Sequence, residues 1–185
     1  MEVKGAALAS VPVFVLRKFG PEGLSRWLNS LSPRAHEIYK GTIPSGSWYP
    51  LEEVLEEPLQ KICDLFYWGD LRGAREGGRF GADMALKGIK RLLTKMSPPE
   101  ALLCKAGALW RSQYQPAQIK VRSPQEGKAL IHLIGLVRPA PLVESRFWGW
   151  LERVLEIGGQ RRVKVRITRS LTQGHPYTEF IATWS

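Results

Sequence analysis

The sequence is poor in the side chains that most often do chemistry. It holds two cysteines, Cys63 and Cys104, and three histidines in 185 residues. Each cysteine sits alone in an apolar helical pattern, without the paired spacing of a zinc site. Both are expected as buried thiols, and no metal site is expected. No apolar run approaches the roughly 20 residues that span a bilayer. The apolar stretch 6–16 is interrupted by Pro12 and follows Glu2 and Lys4, unlike a secretory leader, so a cytoplasmic protein is expected. Acidic residues are also scarce: 17 Asp and Glu stand against 27 Lys and Arg, a formal net charge of +10. Such an excess favours encounters with nucleic acid, anionic membranes or acidic proteins, although its commonest meaning is a solvated surface.

What is present is an ordinary globular mixture, 44% hydrophobic and 24% charged, and the length suits a single domain over 1–185. Seven tryptophans are many for this length, and some are expected at an interface.

The sequence pattern is organised around residues 70–96, DLRGAREGGRFGADMALKGIKRLLTKM. Gly73, Gly77, Gly81 and Ala85 recur every fourth position and so share one helix face. Each glycine costs roughly 1 kcal/mol against alanine inside a helix, so the stripe implies close approach of another backbone, within the domain or across a dimer. Leu71, Phe80, Met84, Ile89, Leu92, Leu93 and Met96 supply bulk around it. Arg72, Arg75, Arg79, Lys87, Lys90, Arg91 and Lys95 supply polar contacts.

Around this central helix the pattern predicts further helices. Residues 3–19, with the run Val11, Val13, Phe14, Val15 and Leu16, fit a strand or a helix and are taken as helix; Gly20 and Pro21 punctuate them, and Leu24, Trp27, Leu28 and Leu31 continue a second segment. Ser32 is an expected N-cap with Pro33 at the first helical position. GTIPSGSWYP, residues 41–50, reads as an ordered loop. A helix with Val54, Leu55, Leu59, Ile62, Cys63, Phe66 and Tyr67 on its apolar face follows Pro50, with Glu52, Glu53, Glu56 and Glu57 at its positive end and a bend expected at Pro58. Ser97, Pro98 and Pro99 open another, reaching Tyr114. The period then becomes strand-like: Ile119 and Val121, a turn at 124–127, and an apolar run at 130–137 form a hairpin. A helix carrying Val143, Phe147, Trp150, Leu151, Val154 and Leu155 precedes a second hairpin, 163–168 and 177–184. The expected class is α+β, with helices packed on a C-terminal antiparallel sheet.

No reaction signature emerges. The clustered glutamates read as helix-start charges, and Gly77, Gly78 and Gly81 lack the strand and lysine of a phosphate loop. A non-enzyme is expected. Lys120 and Arg122 on one strand and Arg162, Lys164 and Arg166 on another alternate with core-facing positions. If those strands are neighbours, they form a basic sheet face able to meet phosphates or lipid headgroups.

SGSWYP (45–50), GRFGADMALKGIKRLL (78–93), LWRSQYQPAQIKV (109–121), WLERVLEIGG (150–159) and GHPYTEFIATW (174–184) together resemble the bacterial relatives of the 4-vinyl reductase domain. That domain belongs to a broader fold shared with TRAPP vesicle-tethering subunits and, more distantly, haem nitric-oxide-binding domains. The resemblance implies a non-catalytic, often dimeric domain with an apolar cavity between helices and sheet, to which Phe80, Met84, Leu103 and Trp110 would contribute. Several relatives carry a cysteine near the position of Thr178, so a metal or thiol role is not expected here. His36, His132 and His175 lie outside any haem-binding motif, and no cofactor is expected. The main expectation is a homodimeric interaction or scaffold module with a protein partner. The alternative is a sensor for an apolar or lipid-like small molecule. Nucleic-acid or membrane binding through the basic face is a lesser one.

Overall fold

The chain opens on a strand. In this computed structural model, which describes residues 1–87 and 98–185, β1 (Glu2–Lys4) lies between β2 (Trp48–Pro50) and β3 (Tyr114–Gln115), antiparallel to both. The helix expected over 3–19 therefore starts later, the expected loop 41–50 ends as a strand, and Tyr114 has left the helix assigned to it. Each strand is too short to carry a period of its own, and each forms because a distant segment satisfies its backbone. Val3, fully buried, pairs with Tyr49 on one side and Tyr114 on the other.

Helix α1 (Gly5–Leu8) leads into α2 (Ser10–Asn29), whose axis breaks at Gly20, at φ 73° and ψ −177°, before Pro21 restarts it. Helix α3 (Pro33–Lys40) has the expected cap: Ser32 Oγ accepts from the Ala35 N–H at 3.4 Å. The Glu57 carboxylate also accepts from Ser32 N–H at 2.7 Å and Oγ–H at 2.6 Å, so a charge read as serving its own helix clamps a neighbour as well. One wide π-type turn, Glu52–Glu56, precedes α4 (Glu57–Tyr67), where Pro58 falls in the first turn. Helix α5 (Arg72–Leu86) is the central helix. Its expected continuation, including Ile89, Lys90, Arg91, Leu92, Leu93, Lys95 and Met96, and the helix start at Ser97, lie outside the described residues.

Helix α6 (Pro99–Arg111) precedes the hairpin β4 (Gln118–Gln125) and β5 (Lys128–Ile134). Helix α7 (Pro141–Ile157) then leads to β6 (Lys164–Arg169) and β7 (Thr178–Thr183). The sheet order is β4-β5-β7-β6, antiparallel throughout. The class is α+β, as expected. Ala129, Ile131, Leu133, Val165, Phe180 and Ala182 form the sheet's buried face, and α6 and α7 pack on the sheet. Among the described residues, no helix is long and apolar enough to cross a membrane.

Candidate functional site

The site is built where α5 crosses α7. A Cβ added to Gly78 would stand 1.9 Å from the Arg146 carbonyl oxygen, and one on Gly149 would stand 1.9 Å from the Arg75 carbonyl oxygen. The two helices therefore touch backbone to backbone, which only residues lacking a side chain permit. The four-spaced stripe surrounds this contact. Gly73 packs on Cys63 and Tyr67 of α4, where a Cβ would lie 3.0 Å from Sγ and 2.9 Å from the ring. Gly77 and Gly81 face the Arg146 guanidinium instead, with Cβ positions 3.5 Å from Nη1 and 3.3 Å from Nη2. Ala85, exposed, lines the adjoining cavity.

That cavity has a volume of about 200 Å³ and lies between the start of the chain, α5, the end of α6 and α7. Ala6, Met84 and Ala85 are its exposed residues, and Ser10, Trp110, Tyr114, Arg146 and Trp150 are buried. Arg146 is 3% exposed. Its Nε donates to Tyr114 Oη at 3.2 Å, and Nη2 donates to Ser10 Oγ at 3.0 Å and the Ala7 carbonyl at 3.2 Å. All these acceptors are neutral. Among the described residues no carboxylate pairs with it, and residues 88–97, GIKRLLTKMS, contain no Asp or Glu. An arginine side chain stays charged inside proteins, and a buried charge without a counter-charge is costly. The indole N–H groups of Trp110 and Trp150, residues 2% and 3% exposed, have no acceptor among the described residues. A buried donor left in that state costs about 1–3 kcal/mol. Trp110 stacks on Tyr114 at 4.2 Å between ring centroids, which fixes the cavity wall.

The four residues expected to share an apolar cavity are divided. Met84 and Trp110 line the one just described. Phe80 lines a separate open groove of about 570 Å³ with Phe14 and Arg17, whose guanidinium lies 5.7 Å from the Phe80 ring. Leu103 is fully buried in the core and lines neither. Beneath the groove, Arg75 forks onto Glu152, Arg79 reaches both Glu152 and Glu156, and Arg153 joins Glu156 to Asp83 at 2.9 Å to each. Arg75 and Arg79 thus lock α5 onto α7.

The expected basic face is not one patch. β4 and β6 are the two edges of the sheet, separated by β5 and β7, so at roughly 4.8 Å per strand Lys120 and Arg122 stand about 14 Å from Lys164 and Arg166. Leu130, Ile181 and the His132–Glu179 pair, 2.9 Å apart, lie between them. Arg162 precedes β6 at φ 49°. The alternation was legible, but strand order depends on long-range pairing. Thr178 donates to the buried Glu144 at 2.5 Å, joined by Ser170 at 2.7 Å and Thr172 at 3.3 Å, which ties α7 to the last hairpin. Cys63 is buried and Cys104 exposed, correcting the expectation that both thiols are buried.

Arg146 and Gly149 were missed. Both fall on the stripe that also carries Leu142, Val143 and Trp150, buried throughout. A charge and a glycine inside an apolar stripe are a readable signal.

No family model matches the chain, and no curated protein matches it. Solved structures do. The H-NOX protein of S. oneidensis in the Fe(II)NO ligation state has 13% identity, a TM-score of 0.76 and coverage of 98% of this chain and 99% of its own. The Fe(II) unliganded H-NOX protein of K. algicida has 13% identity, a TM-score of 0.73 and coverage of 98% and 96%. The Fe(II)CO form of the Shewanella oneidensis domain has 12% identity, a TM-score of 0.73 and coverage of 98% of both. The fold is therefore that of the haem nitric-oxide-binding domains, named above only as distant relations. The narrower likeness to 4-vinyl reductase and TRAPP domains is not shown. These neighbours, solved in iron-ligation states, overturn the reading of a dimeric scaffold module.

The interior of this chain does not fit a haem. The cavity lining contains no His or Cys, and the hydroxyl of its one tyrosine, Tyr114, is engaged by Arg146. His36 is half-buried on α3, His175 is exposed in a turn, and His132 is held on the outer sheet face. Residues 88–97 contain no His, Cys or Tyr. Between α6, α7 and the sheet, Trp110, Tyr114, Phe147, Trp150 and Phe180 fill the space, with centroids 4.2–5.5 Å apart. A volume of about 200 Å³ falls below the roughly 300–1,000 Å³ of sites for drug-sized ligands, and a macrocycle needs more.

Proposed function

We propose that this chain is a non-enzymatic, cytoplasmic small-molecule sensor domain that has kept the H-NOX fold and replaced the haem with a smaller ligand. The observation that carries this reading is the cavity floored by Arg146, Trp110 and Trp150, where, among the described residues, a buried cation lacks a counter-charge and two donors lack acceptors. A stable fold tolerates buried unsatisfied groups mainly where function uses them. The aromatic wall and the α5–α7 backbone contact hold the cavity in shape, and a preformed site loses little on ordering. Ligand entry past Met84 and Ala85 would bias the packing of α5 against α7, and that shift is the signal a sensor passes on.

Native mass spectrometry of the protein purified from its host tests this. The wild type is expected to retain a discrete small mass. Ala85→Trp, which fills the cavity at an exposed position, is expected to lose it while remaining folded. An identical bare mass for both proteins, with no stabilisation by a metabolite panel, would count against a ligand-binding role.

A further inference from the structure

The cavity also indicates what kind of molecule it takes. We infer that its ligand is a small monocarboxylate, bound by the Arg146 guanidinium and the indole N–H groups of Trp110 and Trp150. This rests on the small-molecule reading of the same cavity.

The residues lining the cavity hold idle donors: among the described residues nothing accepts from the indole N–H groups of Trp110 and Trp150 or from Arg146 Nη1, while half-buried Gln113 offers both a donor and an acceptor. The hydroxyls nearby, Ser10 and Tyr114, already accept from the guanidinium. A neutral apolar ligand would leave all these donors unpaired and the charge uncompensated. An anion satisfies both. The charge count narrows it: one buried cation without a buried acid balances one negative charge, whereas a phosphate monoester carries about −1.5 to −2 near neutrality. Nε and Nη2 already donate to Tyr114, Ser10 and Ala7, so Nη1 is the end of the guanidinium left for a carboxylate, which offers about four lone-pair sites. The volume of about 200 Å³ restricts the remainder of the molecule to a short chain, and the Trp110, Trp150 and Met84 walls make its body apolar. The expected apolar or lipid-like ligand thus becomes a short acid with an apolar tail.

The test follows the indole N–H resonances of the ¹⁵N-labelled protein, assigned with Trp110→Phe and Trp150→Phe, during titration with propionate, propionamide or inorganic phosphate. Propionate should shift the Trp110 and Trp150 resonances saturably while the other five stay in place. Propionamide, equal in shape but neutral, should bind at least tenfold more weakly, as should propionate to Arg146→Gln. If that variant does not fold, Trp150→Phe, which keeps the ring and loses the donor, serves instead and should weaken propionate several-fold. Equal binding of acid and amide, tighter binding of phosphate, or unmoved indoles would overturn the assignment. A neutral mass retained in native spectra would overturn it too while leaving the sensor reading standing.

Discussion

At the scale of single residues, the groups that matter most take their role from what surrounds them. Gly78 and Gly149 each stand where a Cβ would meet a carbonyl oxygen at 1.9 Å, so the helices must part to admit one. Gly78→Ala is expected to cost at least about 2 kcal/mol, read as a lowered midpoint in chemical denaturation. Gly46→Ala, with open space around it, is expected to change little. Four-residue spacing made Gly73, Gly77 and Gly81 legible in sequence, and the structure assigns them a neighbour within the domain. Gly78, one step off that stripe, was not legible as the tighter contact, because its partner is an Arg146 backbone oxygen 68 positions on. Arg146 itself reads as one more exposed cation unless its stripe-mates Val143 and Trp150 are weighed.

At the scale of elements, α5 and α7 are held together by ions as well as glycines. Glu152 is 5% exposed and accepts from Arg75, Arg79 and Trp148. Removing one partner of a buried pair costs about 3–5 kcal/mol, so Glu152→Ala should lower stability by about 3 kcal/mol. Burial raises the Glu156 carboxyl, but hydrogen bonds from Arg79 and Arg153 outweigh it and hold the group below its ordinary 4.5. For Glu76, burial likewise raises the carboxyl, and the bonds from Lys18 and Tyr67 lower it further than burial lifts it. Both groups bind protons more weakly in the folded state. Their contribution is therefore complete above about pH 4.5 and lost as pH falls through the lower folded values. Thermal denaturation across pH should show a plateau above 5 and a decline below 4.5, shallower in Glu156→Gln. Long helices and both hairpins of the large sheet were legible because period and punctuation are local. The small sheet was not, since β1, β2 and β3 have two or three residues each and owe their form to one another.

At the scale of the whole molecule, an α+β domain was legible and its interior was not. Composition records that seven tryptophans are present. It does not record that Trp110 and Trp150 line a cavity with idle donors. The basic residues of the sheet illustrate the same limit: alternation places them on one face, and only strand order parts them to opposite edges. Binding to a nucleic acid through that face is expected to be weak and to vanish with added salt, as for separated surface charges.

If this fold holds a small ligand in place of haem, then haem titration of the purified protein, followed by the Soret absorbance, should show no saturable change at one equivalent and no difference between wild type and Arg146→Gln. A stoichiometric haem complex that takes up carbon monoxide when reduced would contradict it.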